Sequence, residues 1–221
     1  MSKEYKETGD GIYLARRGSD YGGYWIPTRL DCKVVYDCGV GEDTSFAHDI
    51  YYYFPEAKIH LFDPTSKAIK HMESLRSLPR MFFHYVGISD YNGPRNFFPP
   101  KDPNHASYSA ENIQNTSCPH MYPCYTIKTI MEILNHKELS ILKLDIEGSE
   151  YGVIKSLAQD NIRPKVLVVE FHKVSNSANL VNYVARWLNL NYVLLNQEGD
   201  NYTYLERSEY DRYLSSHKES E

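Results

Sequence analysis

The stretch KVVYDCGVGEDTSF, residues 33–46, decides the fold. A short β-branched run from Lys33 to Asp37 reads as a strand, and helical spacing begins near Thr44. Between them Gly39 and Gly41 occupy a strand-to-helix turn. Glycine there lets the backbone approach a ligand closely, and the free N–H groups of a helix start attract a polar group. A G-x-G pair also serves any tight turn, so its meaning depends on the rest of the chain.

Outward from this stretch the chain alternates. Further strands are predicted at Lys58 to Phe62, Met81 to Val86, Ile141 to Leu144 and Val166 to Phe171. Most are apolar on both faces, as strands covered on both sides must be. Helical spacing fills the intervals at Thr44 to Phe54, Ser66 to Leu78, Ile127 to Leu134, Tyr151 to Ala158 and Asn179 to Leu188. Such alternation predicts a parallel sheet with right-handed crossovers. Tyr192 to Asn196 and Tyr202 to Glu206 flank the turn-rich QEGDN and read as an antiparallel hairpin. The expected fold is α/β and Rossmann-like: a mostly parallel seven-stranded sheet ending in that hairpin, with helices on both faces.

Three regions stand outside the alternation. Residues 1–32, rich in Gly, Tyr and Arg, read as an irregular or hairpin-forming lead-in. Residues 91–125 form a long, proline-bearing segment between strands, a kind that is usually functional in a compact domain. Residues 209–221 read as a polar tail whose end, SSHKESE, is expected to fray. At 221 residues a single domain is expected, over 33–208. The 29 acidic residues outnumber 24 Lys and Arg, a formal net charge of -5, so nucleic acid is not an expected partner. The first residues lack an apolar signal core and no run approaches the roughly 18 apolar residues of a membrane span, so a soluble, cytoplasmic protein is expected. Cys32/Cys38 and Cys118/Cys124 repeat a C-x5-C spacing wider than paired zinc ligands usually take, and reduced thiols are expected.

The strand ends carry the chemistry. Asp63 closes the second strand, where an acidic side chain can accept both hydroxyl protons of a ribose; ligands of such sheets bind beyond the carboxyl ends of the strands. Its competing role is to cap the helix opened by Pro64 and Thr65, a task Thr65 or Ser66 can perform instead. The third strand delivers Gly87, Ile88, Ser89 and Asp90, a small, an apolar and a polar group suited to a flat ring and its edge. The fourth delivers Asp145, Glu147 and Glu150, and the fifth Glu170 and His172. Should the fourth and fifth strands be neighbours, Asp145, Glu147, Glu170 and His172 share one rim. Such a set can deprotonate or orient a hydroxyl, or bind a divalent cation.

Together DCGVGEDTSF, IHLFDPT, FHYVGISD, SILKLDIEGSEYGVI and KVLVVEFH resemble the FkbM-like family of class I methyltransferases that use S-adenosylmethionine, with LKLDIEGSE the most specific part. The likeness extends to GSDYGGYWIP, PNHASYS and GDNYTYLE and covers roughly residues 12–206. It implies the class I methyltransferase version of the Rossmann-like fold and S-adenosylmethionine as cofactor. The implied cofactor-binding set is Asp37, Gly39, Gly41, Asp63, Pro64, Gly87, Ile88, Ser89 and Asp145. Within it Gly39 and Gly41 pass the methionine part, Asp63 holds the ribose, and Ile88 with Ser89 frames the adenine. Asp145 lies near the methionine amino group or the acceptor.

The same resemblance makes 91–125 a substrate loop and 1–32 a cover, with Tyr13, Arg17, Tyr24 and Trp25 closing over the site. Family members are associated with O-methylation of sugars and of natural-product hydroxyls, so the implied partner is a small hydroxylated acceptor. The expected catalytic residues are Asp145, His172 and Glu170, with Asp145 or His172 taking the acceptor's proton. His172 departs from the family pattern, which would place an acidic residue after VEF. Two other readings compete. An NAD-dependent oxidoreductase would suit Asp63, but Phe46 and its neighbours stand where the third glycine of G-x-G-x-x-G is needed. The reading from another class is a catalytically silent S-adenosylmethionine-binding or adapter module, and intact Gly39, Gly41, Asp63 and Asp145 speak against it. A divalent cation at the rim carboxylates stays open, as does the oligomeric state.

Overall fold

The strand that leads into the glycine turn lies at the heart of a larger sheet. The structure, a computed structural model, describes residues 4–173 and 178–218. In chain order the elements begin with β1 (Tyr5–Glu7), β2 (Tyr13–Arg17), β3 (Tyr24–Pro27), β4 (Val34–Cys38), α1 (Ser45–Tyr53), β5 (Lys58–Phe62), α2 (Ser66–Ser74) and β6 (Met81–His84). Next come β7 (Gly87–Ile88), β8 (Gly93–Phe97), β9 (His120–Tyr125), α3 (Ile127–Ile133), β10 (Ile141–Leu144), α4 (Glu150–Gln159) and β11 (Val166–Glu170). The chain closes with α5 (Ala178–Asn191), β12 (Tyr192–Glu198), β13 (Asn201–Glu206) and α6 (Arg207–Lys218).

The main sheet has seven strands in the order β12-β13-β11-β10-β4-β5-β6. The five from β11 to β6 run parallel, and β13 pairs antiparallel with both β11 and β12. This is the mostly parallel seven-stranded sheet with a terminal hairpin that the sequence pattern predicts. Its middle strands are apolar at almost every position because both faces are covered. Val35, Ile59, Leu61, Ile141, Val166 and Val168 point to one face, with α1, β2, β3 and α6 packed there. Tyr36, Phe62, Leu142, Leu144, Leu167 and Val169 point to the other, under α3, α4 and α5. The two-residue side-chain period of a strand produces that division. Each fully buried aliphatic side chain contributes about 1.5–3 kcal/mol, so truncating Leu142 or Leu144 to Ala would cost about 2–5 kcal/mol.

Where the elements differ from expectation, the cause is local. The second helix stops at Ser74, because Leu75 is already extended and Pro79 bars Leu78 from the helical region. Residues 4–32 take the hairpin-forming of the two expected forms: β1, β2 and β3 make an antiparallel sheet lying on the α1 face. The 91–125 segment is part sheet as well, since β8 and β9 pair with each other and β9 with β7. The tail beginning at 209 is helical through 218, and Tyr210, Tyr213 and Leu214 of α6 pack into the core; the last three residues of SSHKESE lie outside the described residues. Among the described residues no helix is long and apolar enough to cross a membrane.

Candidate active site

The carboxyl ends of β4, β5, β10 and β11 open into a cavity of about 640 Å³. Gly39, with φ +81, is the tightest point of its floor: a Cβ there would fall 1.6 Å from the carbonyl oxygen of Asp145. Only glycine lets β4 and β10 end so close together. Gly41, with φ +53, has more room, a Cβ meeting only that of Ala106 at 3.6 Å. Asp63 fixes this turn. Its Oδ2 accepts from Gly41 N at 2.9 Å, while Oδ1 accepts from Thr65 N at 2.9 Å and Thr65 Oγ1 at 2.7 Å. Burial pushes the Asp63 carboxyl above its ordinary range despite those three bonds. Thr65 itself caps α2, its hydroxyl accepting from Ala68 N, so Asp63 braces both the glycine turn and the start of the next helix.

One end of the cavity is apolar. Phe62, Pro64, Ile88 and Phe97 line it beside Gly87. Phe97 comes from β8, and the 91–125 segment also supplies His105, Ala106, Ser107 and Tyr108 to the wall. Ser109 Oγ donates to the carbonyl of Glu147 at 2.6 Å, which ties this segment to the opposite rim. Arg95 anchors its other side, donating to Ser89 Oγ at 2.7 Å and pairing with Glu111.

The other end is charged. Parallel pairing of β10 with β4 sets Lys143 beside Asp37, and its Nζ lies 3.1 Å from Asp37 and 3.7 Å from Asp145. Burial opposes the Lys143 charge, yet the two carboxylates prevail and hold the ammonium well above its ordinary range. Pairing of β10 with β11 brings the next group together. Glu150, fully buried at the start of α4, accepts from Ile146 N at 3.0 Å, Gly148 N at 3.1 Å and His172 Nδ1 at 2.9 Å. The Nε2 of His172 faces Glu147 at 3.4 Å. Burial works against an imidazolium, but Glu150 and Glu147 outweigh it and raise His172 to about 9. Burial, helped by Asp145, raises Glu170 to about 7.

The turn between β2 and β3 borders the mouth. Asp43 accepts from Ser19 Oγ at 2.6 Å and from Ser45 N at 2.8 Å, and Ser19 N donates to Ser45 Oγ at 2.7 Å. These bonds place Tyr21 and Gly22 against the cavity. Burial disfavours the Asp43 charge, but the bonds from Ser19 and Ser45 keep its carboxyl below its ordinary range.

A glycine turn, an acidic residue on the next strand and a charged far rim sit here on one sheet with a terminal antiparallel hairpin. The family model described as methyltransferase FkbM domain matches residues 34–204. The chain belongs to the FkbM methyltransferase family. No curated protein matches this FkbM chain closely enough to count as a relative. Among solved structures it is similar to a fibrillarin in complex with Nop5p (11% identity, 80% of this chain and 74% of that one, TM-score 0.46). It is also similar to a fibrillarin pre-rRNA processing protein of Methanococcus jannaschii (10% identity, 93% and 98%, TM-score 0.44). The fold assignment rests on the strand order and the family match. They place the FkbM chain in the class I methyltransferase fold, and the oxidoreductase reading ends there.

In this FkbM domain the cavity wall includes Gly39, Gly41, Asp63, Pro64, Gly87, Ile88 and Asp145 from the expected cofactor set, and Glu170 and His172 from the expected catalytic set. Two expected residues stand behind the wall instead. Asp37, 1% exposed, is spent on Lys143, and Ser89, fully buried, serves Arg95. The expected cover also differs. Tyr13 opens β2, the middle strand of its sheet, and is exposed, and Tyr24 packs edge-on against Phe46. Arg17 stacks on Tyr53, and Trp25 donates to Glu198. None of the four lines the cavity; Tyr21 does, because the turn rather than the strands reaches the mouth. Lys143 and Phe97 are not singled out by the sequence, and Glu150, which reads there as a favourable helix start, also holds His172. For Lys143 a signal existed, since a lysine inside the apolar run ILKL must find a carboxylate partner.

Proposed function

We propose that this FkbM methyltransferase uses S-adenosylmethionine and transfers its methyl group to a hydroxyl of a small molecule, of which a sugar is the leading class. The observation that carries this reading is one cavity with an apolar end at Ile88 and Phe97, a glycine floor, and a carboxylate rim at the opposite end. Adenine fits the first, a ribose and methionine chain the second, and a polar acceptor the third. The residues present fit the cofactor. A side chain at Gly39 would overlap Asp145, so the floor stays bare, and Asp63 has the lone pairs of a carboxylate to share with a ribose hydroxyl beyond the three bonds it takes.

Bound S-adenosylmethionine supplies a methyl group already activated by the sulfonium charge. The chain's own work is to orient the acceptor, exclude water and remove one proton. Tyr21, which is largely exposed, and the His105 to Tyr108 stretch edge the cavity and are placed to cover a bound acceptor. His172 has both ring nitrogens facing carboxylates, so its geometry suits a held positive charge and not the receipt of a further proton. Asp145 faces Lys143. Glu170 lines the same rim with no hydrogen bond to its carboxylate among the described residues, and in this reading it takes the acceptor's proton.

The test is calorimetric titration with S-adenosylmethionine and S-adenosylhomocysteine, followed by a screen of hydroxylated acceptors for methyl transfer. Binding of both ligands, with Glu170→Gln keeping that binding and losing turnover about 100-fold or more, is expected. A folded protein that binds S-adenosylmethionine but methylates no acceptor would return the silent-module reading, and one that binds neither ligand would overturn the proposed cofactor.

A further inference from the structure

The far rim holds more negative charge than it balances. Among the described residues the only cations that Asp37, Asp145, Glu147, Glu150 and Glu170 face are Lys143 and His172. Asp37 is matched by Lys143 and Glu150 by His172, which leaves Asp145, Glu147 and Glu170 on one side of the cavity. Three of these side chains also converge in the manner of ligands. One oxygen each of Asp145 and Glu147 and a ring nitrogen of His172 lie within 4.8 Å of one another, and among the described residues this is the only group of its kind.

The histidine gives the set its direction. Glu150 is 0% exposed and cannot turn, because Ile146 N and Gly148 N hold it from the backbone. It receives His172 Nδ1 at 2.9 Å, so the imidazole is locked with Nε2 projecting toward Glu147 and the cavity. Metal-bound histidines are oriented in this way, their other nitrogen donating to a carboxylate. His172 Nε2 makes no hydrogen bond among the described residues, its approach to Glu147 being an ion-pair distance of 3.4 Å. A half-buried, pre-aimed nitrogen with two carboxylate oxygens beside it is a three-point donor set facing the cavity.

We infer that Asp145, Glu147 and His172 form a divalent-cation site that presents an ion to the acceptor's oxygen. Two carboxylates suit a hard divalent ion, and one imidazole beside them favours a transition-metal ion such as Mn²⁺ over Mg²⁺ or Ca²⁺. An ion in place of a proton on His172 Nε2 adds one positive charge and so reduces the surplus of three without removing it. An acceptor hydroxyl on the ion would lose its proton more readily, to Glu170. That last role rests on the proposed hydroxyl methylation, whereas the ion site does not.

The experiment is uptake of Mn²⁺ by chelator-stripped, full-length protein, read as loss of the free-ion electron paramagnetic resonance signal. One ion per chain with Kd of about 10⁻⁵ M or tighter is expected. Asp145→Asn and Glu147→Gln should each weaken uptake about tenfold or more with unchanged circular dichroism, and the remote Glu138→Gln should not. Absence of uptake by the folded wild type at about 1 mM, or equal uptake by all variants, overturns the inference. Calorimetry with S-adenosylmethionine in the presence of chelator separates the two readings. Cofactor binding without Mn²⁺ uptake removes the ion and leaves the methyltransferase reading intact; site-specific Mn²⁺ uptake without cofactor binding does the reverse.

Discussion

Replacing Lys143 with methionine tests the electrostatic frame of the site. Methionine keeps most of the side-chain volume in β10, where Lys143 is 4% exposed, so the change removes the ammonium and little packing. What remains is Asp37, 1% exposed, with its former partner gone from 3.1 Å. Breaking a buried pair from one side costs about 3–5 kcal/mol, because the surviving charge stays desolvated. For a domain of this length each kcal/mol lowers Tm by about 2–4 °C, so Lys143→Met should melt about 6–20 °C lower. Asp37→Asn alone should also destabilise. The double variant, with neither charge, should lose less than the sum of the two, by about 1–3 kcal/mol. Urea unfolding of the four proteins measures that coupling directly. Additivity within about 0.5 kcal/mol would show that the two groups do not stabilise one another, and the account of Lys143 would fail.

Acid should weaken the fold through His60. This buried ring is stacked on Phe82 and His84, its Nε2 has no partner among the described residues, and burial, with repulsion from His84, His136 and Lys58, lowers it to about 3. Because the folded value lies below the unfolded one, His60 holds its full contribution above about pH 6.5 and loses it as pH falls, about 2 kcal/mol by pH 5. His60→Phe should flatten that part of the pH dependence in denaturant melts, and an unchanged slope would exclude His60. Gly41→Ala should cost about 1–2 kcal/mol for its left-handed backbone, and Gly39→Ala about 1–3 kcal/mol more, because its Cβ meets the Asp145 carbonyl at 1.6 Å and not Ala106 at 3.6 Å. Equal melting temperatures for the two would contradict the close approach of β4 and β10. Phe97→Ala should weaken S-adenosylmethionine binding about tenfold, roughly 1.4 kcal/mol, and an unchanged Kd in calorimetry would move the adenine away from that wall.

The parts of this protein that the sequence made readable are those set by short-range periodicity. The run Lys58 to Phe62 reads as a strand because alternate residues must fill two different cores, and it is one, to the residue. The helix α6 escaped notice because Arg207 to Lys218 is mostly polar and only Tyr210, Tyr213 and Leu214 turn inward. Three apolar residues in twelve do not announce an amphipathic face. The 91–125 segment read as a loop because its prolines suggest no ladder, yet Pro94 and Pro123 sit opposite each other in the β8–β9 pair. Phe97 reaches the cavity through that pairing, which no local pattern reports.

Site residues divide along the same line. Gly39, Gly41, Asp63, Asp145, Glu170 and His172 stand at strand ends, and in a parallel sheet all strand ends of one kind meet at one edge, so position along the chain suffices to gather them. Asp37 stands one step inside the end of β4 and Ser89 one step past the end of β7, close enough in sequence to be grouped with the site, yet both are buried behind its wall. Strand register separates the two cases. Asp37 is the register partner of Lys143, so its carboxylate meets an ammonium within the sheet, whereas Asp145 lies one residue past β10 and turns toward the cavity. The buried Lys143 and Glu150 therefore complete the site from within. Each fixes one member of the rim, Asp145 in the first case and His172 in the second, and neither spacing nor composition could have assigned those partners before the order of β4, β10 and β11 was known.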